Sequence, residues 1–192
     1  MSEHMSLSYQ DLQSAILNDD GYLDPESAKL SAPNYCGVYS IRVRELNSLP
    51  KDVITHQKEV SYDKNILYVG MANPQFLSER LIRGDLGGGT AIFFRKLGSV
   101  LGHIAVPSSK NYRFEKESKR SSLRWIDKNI KVKYFRYPIS EYSEAETRYQ
   151  FESPLIELLK PSFNYQHNPQ KCDYVTWVHL KNREIGLSRH RD

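Results

Sequence analysis

Only two of the 192 residues are cysteines, Cys36 and Cys172, far apart and without metal-ligand spacing. That removes a disulfide framework or a cysteine-rich zinc site as the organising device, and in a reducing compartment both are expected as free thiols. No run approaches the roughly 18 apolar residues of a membrane span, so no membrane partner is expected. The opening MSEHMSLSYQDLQ has neither the basic region nor the apolar core of a secretory signal, and the expected compartment is the cytoplasm. The glycines at 87–89 lack the Lys-Ser/Thr of a phosphate-cradling loop, which leaves them as a hinge between helices. The six histidines form no metal-ligand pair at helical spacing, and no Ser/His/Asp motif supports nucleophilic hydrolysis. Internal repeats and low-complexity tracts are missing too.

What is present suits a folded chain. Hydrophobic residues at 39% against 26% charged are enough for a packed core, and the length fits one domain, expected over 1–192. The net charge of +4 is modest but uneven. Residues 1–30 carry six acidic side chains against Lys29 alone, whereas 110–136 carry ten basic side chains against three acidic ones. Such polarity fits a face that binds a polyanion, and it equally fits a solvated surface.

Periodicity gives the elements. Residues 8–18 read as a short amphipathic helix, followed by an acidic loop with Pro25 and Pro33. GVYSIRV at 37–43 alternates Tyr39, Ile41 and Val43 as a strand does, and ILYVG at 66–70 is a second strand. The polar stretch 44–65 reads as a long loop or ragged hairpin. A helix is predicted over 76–83, with Phe76, Arg80 and Arg83 along one line. Another follows from Ala91 to Leu101, with Phe93, Leu97 and Val100 inward. The basic segment contains a helix around 117–128 and a strand at 130–137. DYVTWVHL, 173–180, reads as a final strand.

The helix expected over 141–159 is the most informative segment. Its apolar stripe reads Ala145, Tyr149, Glu152, Ile156 and Leu159, which sets the Glu152 carboxylate on the inward face. Burying a carboxylate costs several kcal/mol unless a cation meets it. An ion pair with an arginine and a metal or acid–base role both satisfy that demand.

Three separated segments together resemble the GIY-YIG nuclease family. Gly37-Val38-Tyr39 stands for the first motif and Tyr68-Val69-Gly70 for the second. The stretch from Phe76 to Arg83 is similar to the family's helix whose arginine contacts the scissile phosphate, with Arg80 at the matching place. From Glu152 the chain runs through Leu155-Ile156 and Pro161 to Asn164, twelve residues on, like the family's ending. The resemblance covers roughly 35–102 and 140–165. Two departures stand out. The motif tyrosines are 29 positions apart, so 44–64 is an insertion, and Gly84 stands where many members place a histidine. Arg83, Arg95 and His103 are candidates to supply the missing group.

The resemblance implies an α+β core, a three-stranded antiparallel sheet flanked by helices, over about 35–165. An N-terminal helical extension (1–34) and a C-terminal extension (166–192) would frame it. It also implies one divalent metal, Mg²⁺ or Mn²⁺, held by Glu152. Oxygen ligation by one carboxylate plus waters suits Mg²⁺. Arg80 would contact the phosphate with its planar fork of donors. Tyr39 would position or deprotonate the attacking water, which for a phenol of ordinary pKa about 10 requires nearby cations. Tyr68 would bond the water or phosphate, and Asn164 would fix local geometry through backbone or a tyrosine. Lys116, Lys119, Arg120 and Arg124 would contact nucleic-acid phosphates, with Tyr112, Trp125, Tyr134 and Phe135 available to pack or stack. The expected substrate is double-stranded DNA, in the manner of the family's stand-alone restriction enzymes, and palindromic cutting would call for a homodimer. A catalytically inactive nucleic-acid-binding protein on the same fold is the alternative, and RNA is the competing substrate.

Overall fold

In the computed structural model, residues 8–31, 34–88, 91–108, 111–136 and 144–188 are described. Their five strands are β1 (Gly37–Val43), β2 (Ile66–Ala72), β3 (Ala105–Pro107), β4 (Tyr112–Phe114) and β5 (Ile130–Arg136). Strands β2, β1 and β5, in that order, form an antiparallel sheet, and β3 pairs with β4 as a separate ribbon. The central β1 and its neighbour β2 are buried almost throughout, because helices cover both faces.

The described residues also form the α-helices α1 (Tyr9–Leu17), α2 (Pro25–Ser31), α3 (Lys51–Glu59), α4 (Ile92–Val100), α5 (Lys116–Asn129), α6 (Glu144–Thr147), α7 (Ser153–Leu159) and α8 (Asp173–Ser188). Two π-helical segments, Ser78–Asp85 and Arg148–Glu152, precede α4 and α7. On one face of the sheet Val38, Ile66 and Val69 meet Leu12 and Ile16 of α1 and Leu155, Ile156 and Leu159 of α7. Each such residue, when fully buried, contributes roughly 1.5–3 kcal/mol. The other face packs Tyr39, Ile41 and Val43 against Leu77, Leu81, Phe93, Leu97 and Val175. Helix α1 starts where Ser8 and Asp11 exchange side-chain and backbone hydrogen bonds in a capping box.

Several expectations are corrected. The acidic loop after α1 contains a helix, α2, in which Pro25 takes the first position and its fixed φ is helix-compatible. The insertion 44–65 is not a loop: α3 fills it, turning Val53 and Gln57 inward four residues apart. Gln57 is a polar core residue, donating to the carbonyls of Lys64 and Ile66 while its Oε1 accepts from Ser61 and the Ser162 amide. The segment 173–180 is helix rather than strand. Val175, Val178 and Asn182 face inward at helical spacing, and the apparent alternation of DYVTWVHL is incidental.

The 76–83 helix begins at Ser78 and is wound as a π-helix, so Leu77 and Leu81 face the core while Phe76 and Arg83 are exposed. The 141–159 helix holds a π-turn over Arg148–Glu152. Its wider winding slips the phase, so Phe151 is buried while Ala145 and Tyr149 are exposed. Residues 137 and 141–143, the expected ends of a strand and a helix, lie outside the described residues, as do Pro33 and Gly89.

Candidate active site

The sheet register sets the two motif tyrosines. Tyr39 on β1 lies opposite Gly70 on β2. A Cβ added at Gly70 would fall 2.4 Å from Cζ and 2.5 Å from the hydroxyl oxygen of Tyr39. The glycine is therefore required by the ring that crosses it, a close approach no side chain permits. Two residues earlier the pairing slips: Ile41 faces Tyr68 and Arg42 faces Ile66, so Leu67 is extra. Leu67 and Tyr68 both join the cluster that contains Tyr39, and such irregularities redirect side chains. The two tyrosine rings sit 6.2 Å apart.

Their exposures differ in a way that matters. Tyr39 is 0% exposed, whereas Tyr68 keeps 6% and lines an open cavity of about 280 Å³. Glu152, Asn164, Lys96 and His179 share that cavity wall. Tyr39 is not part of that wall, and its hydroxyl donates a hydrogen bond to Asp85 Oδ2.

Asp85 closes the first π-helical segment. Its carboxylate is fully buried and also accepts from the Phe93 amide at the start of α4, at 3.2 Å. Arg80, on the same segment, holds Nη1 3.7 Å from Asp85 Oδ2 and Nη2 3.5 Å from the Tyr68 hydroxyl. Tyr39, Asp85, Arg80 and Tyr68 thus form a continuous chain of polar contacts ending at the cavity.

Glu152 approaches from the opposite side, at the end of the second π-turn. Its side chain keeps 15% exposure and pairs with Arg148 at 3.5 Å. Its charge adds a small upward push to the Tyr68 phenol, whose pKa is raised chiefly by burial. Asn164 braces the edge of β2: its Oδ1 accepts from the Val69 amide at 2.9 Å and its Nδ2 donates to the Val69 carbonyl at 2.8 Å. The Phe163 amide adds a bond to the Leu67 carbonyl. One side chain thereby copies a strand neighbour and fixes the backbone that carries Tyr68.

Burial, then the charge of Asp85, pushes the Tyr39 phenol well above its ordinary range, and burial likewise raises Tyr68. Both are neutral phenols at physiological pH. Burial opposes the charge on Arg80, yet its pKa is raised overall, with the Asp85 carboxylate beside it, and the guanidinium stays protonated. Asp85 is pushed up by burial and pulled back by Arg80, the Tyr39 hydroxyl and the Phe93 amide, with burial winning. Lys96, lowered to about 8 by burial, donates to the Phe163 carbonyl at 2.8 Å.

Among the described residues no three His, Cys, Asp or Glu side chains cluster to cage a metal. A single carboxylate beside open space suits a hard cation that keeps most of its waters, as Mg²⁺ does, and Glu152, which pairs with Arg148, is the carboxylate on this cavity wall.

The other sequence candidates scatter. Arg83 is exposed. Arg95 is buried with its guanidinium 5.8 Å over the Tyr112 ring, yet its charge acts on Asp85 and Arg80. His103 packs edge-on against Phe114 and hands its carbonyl to Asn182. On α5, Lys116, Lys119, Arg120 and Arg124 are all exposed, and Glu117 pairs with Arg120 and Arg124. Tyr112 is buried, and Trp125, Tyr134 and Phe135 pack against the core. Asp85 escaped the sequence reading because an aspartate five residues past an arginine faces elsewhere on an α-helix. The cavity-lining Thr176 and His179 carry no sequence signal because 173–180 alternates like a strand, and Arg183 falls in the stretch after it.

A three-stranded antiparallel sheet flanked by helices, with two tyrosines, an arginine, a glutamate and an asparagine gathered on adjacent strands and turns, is the frame of a nuclease fold. The chain belongs to the GIY-YIG family: the GIY-YIG catalytic domain matches residues 37–184. That span includes the segment 103–139 and most of α8, both beyond the reach of the motif resemblance. No curated protein and no solved structure matches the chain. Nucleic acid is the substrate class that the domain implies, and no described helix is long and apolar enough to cross a membrane.

Proposed function

We propose that this chain is a metal-dependent endonuclease that hydrolyses phosphodiester bonds of double-stranded DNA. The observation that carries the reading is the meeting of Tyr68 and Glu152 on one cavity, with Arg80 touching the Tyr68 hydroxyl. Glu152 would hold a divalent ion, Mg²⁺ or Mn²⁺, which when bound supplies positive charge to the phosphoryl and leaving oxygens. Arg80 donates to a non-bridging phosphate oxygen and neutralises charge that grows in the transition state. Tyr68, kept neutral, orients the attacking water beside the phosphate. The water oxygen bonds to phosphorus and gives its proton to solvent, while the bond to the leaving 3′-oxygen of deoxyribose breaks and that oxygen takes up a proton from solvent.

The water-positioning role expected of Tyr39 falls to Tyr68 in this reading. Tyr39 has no exposed surface and points its hydroxyl at a carboxylate, so neither water contact nor base action suits it; it supports the site from behind. Asn164 acts through the β2 backbone. Helix α8, in the 166–192 stretch expected as an extension, belongs with the catalytic domain, since Thr176, His179, Leu180 and Arg183 wall the cavity.

A restriction-type role with a homodimer fits a chain whose insertions, α3 and the β3–β4–α5 region, are the parts free to read sequence. The free buried thiols suit the reducing cytoplasm. The test is nicking of supercoiled plasmid with Mg²⁺, with RNA offered in parallel. We expect fixed DNA fragments from the wild type, none with chelator, and a rate loss of at least about 1,000-fold in Glu152→Ala with duplex binding retained. Binding without metal-dependent cleavage by the wild type would establish the non-catalytic alternative.

A further inference from the structure

The segment Ser78–Asp85 contains a carboxylate that the nuclease reading does not use. In an α-helix, residue 85 would sit about 140° around the axis from residue 80, on the far side. The π-helical winding, closed by the Leu86 amide on the Leu81 carbonyl at 2.9 Å, returns residue 85 toward the face of Arg80. Position 84, four residues past Arg80, has no room to spare: a Cβ there would lie 3.2 Å from the Ala91 Cβ and 3.4 Å from the Glu79 carbonyl oxygen. Glycine at 84 and the π-turn therefore go together. One gives up a side chain, and the other supplies the Asp85 carboxylate one step later.

We propose that Asp85 is a positioning residue for phosphodiester hydrolysis, a buried counter-charge that holds the Arg80 guanidinium and the Tyr39 phenol in register behind the cavity. This assignment rests on the nuclease reading for its catalytic consequence, though not for the coupling itself. Asp85 is 0% exposed, so it reaches neither substrate nor ion and acts only through its neighbours. Three groups fix it: the Tyr39 hydroxyl and the Phe93 amide donate to it, and Arg80 Nη1 stands 3.7 Å away. The Phe93 bond ties the carboxylate to the first turn of α4, so the guanidinium is referenced to a rigid helix rather than to its own flexible stem.

At 3.7 Å the pairing with Arg80 is looser than a direct hydrogen bond. Arg80 keeps donors for a phosphate, and Asp85 limits where they point. Ground-state binding is thereby weakened slightly, while the transition-state arrangement is selected.

The test is a double-mutant cycle on the full chain with Asp85→Asn, Arg80→Ala and the pair. Asparagine keeps the shape and removes the charge; its one amide oxygen accepts from Phe93, and its Nδ2 faces the Tyr39 hydroxyl, which can accept as well as donate. Duplex binding is measured first, in chelator, so that no cleavage is needed. Asp85→Asn should bind about two- to fivefold tighter, and that gain should vanish when Arg80 is alanine. In Mg²⁺, Asp85→Asn should lose about 100-fold in kcat while KM falls, a split that mere loss of folding does not produce.

Additive binding effects, or an unchanged kcat in a folded Asp85→Asn protein, overturn the proposal. A wild type that binds but never cleaves overturns the nuclease reading instead, and the binding cycle still decides on Asp85. Should Asp85→Asn not fold, Tyr39→Phe serves. It strips one donor from the carboxylate and drives it onto Arg80, so metal-free affinity should fall about twofold in an Arg80-dependent way. No change there overturns the assignment as well.

Discussion

Gly70 and Tyr39 occupy each other's space, and that pairing explains the glycine of the second motif without reference to catalysis. The Tyr39 ring cannot retreat from a Cβ, because it is fully buried and its hydroxyl is tied to Asp85. Overpacking at such a position costs on the order of 1–3 kcal/mol. We expect Gly70→Ala to lower stability by about 2 kcal/mol in urea unfolding and to reduce cleavage further still, since the displaced ring is the one behind Arg80 and Tyr68. A stability within a few tenths of wild type would mean the ring has slack that the close approach denies. Asn164 shows the same economy at the other edge of β2, where one amide side chain satisfies both backbone groups of Val69.

The elements differ in how plainly the sequence announces them. Strands β1 and β2 alternate or run apolar between polar breaks, and α4 has an apolar stripe, so these are legible, and motif order singles out Tyr39, Tyr68, Arg80 and Glu152 as candidates. Helix α3 was hidden because one of its two inward residues is Gln57, a polar side chain that only its four hydrogen bonds make at home in a core. Neither π-turn leaves a mark in residue type; tertiary packing of Leu77, Leu81 and Phe151 selects the winding, and with it the places of Asp85 and Glu152.

Helix α5 carries the basic run, and Lys119 adjoins the turn after the first π-segment, where a Cβ at Gly88 would meet its Cε at 2.5 Å. Arg120 and Arg124 spend part of their charge on Glu117. Lys116→Ala and Lys119→Ala should each weaken DNA binding at all sequences alike and reduce the salt-dependence slope by about 1. Glu117→Gln should strengthen binding. Unchanged slopes would return α5 to the status of a solvated surface.

At the scale of the whole molecule, the sheet serves as a plate whose two coverings deliver opposite halves of one site. Tyr39, Tyr68, Arg80 and Asp85 belong to the layer with α4 and α8. Glu152 comes from the turn leading into α7, which packs on the other face. The cavity lies where these layers meet beyond the edge strand β2, the edge that Phe163 and Asn164 close. On the proposed reading, a phosphate entering there would meet Arg80 from one layer and Glu152 from the other.

The most direct measurement is anomalous diffraction from crystals of the protein with a bound DNA duplex and Mn²⁺. The account expects a manganese peak at bonding distance from a Glu152 carboxylate oxygen, next to a phosphate that Arg80 contacts. Manganese bound elsewhere, with the DNA phosphates seated away from Arg80 and Tyr68, would contradict it.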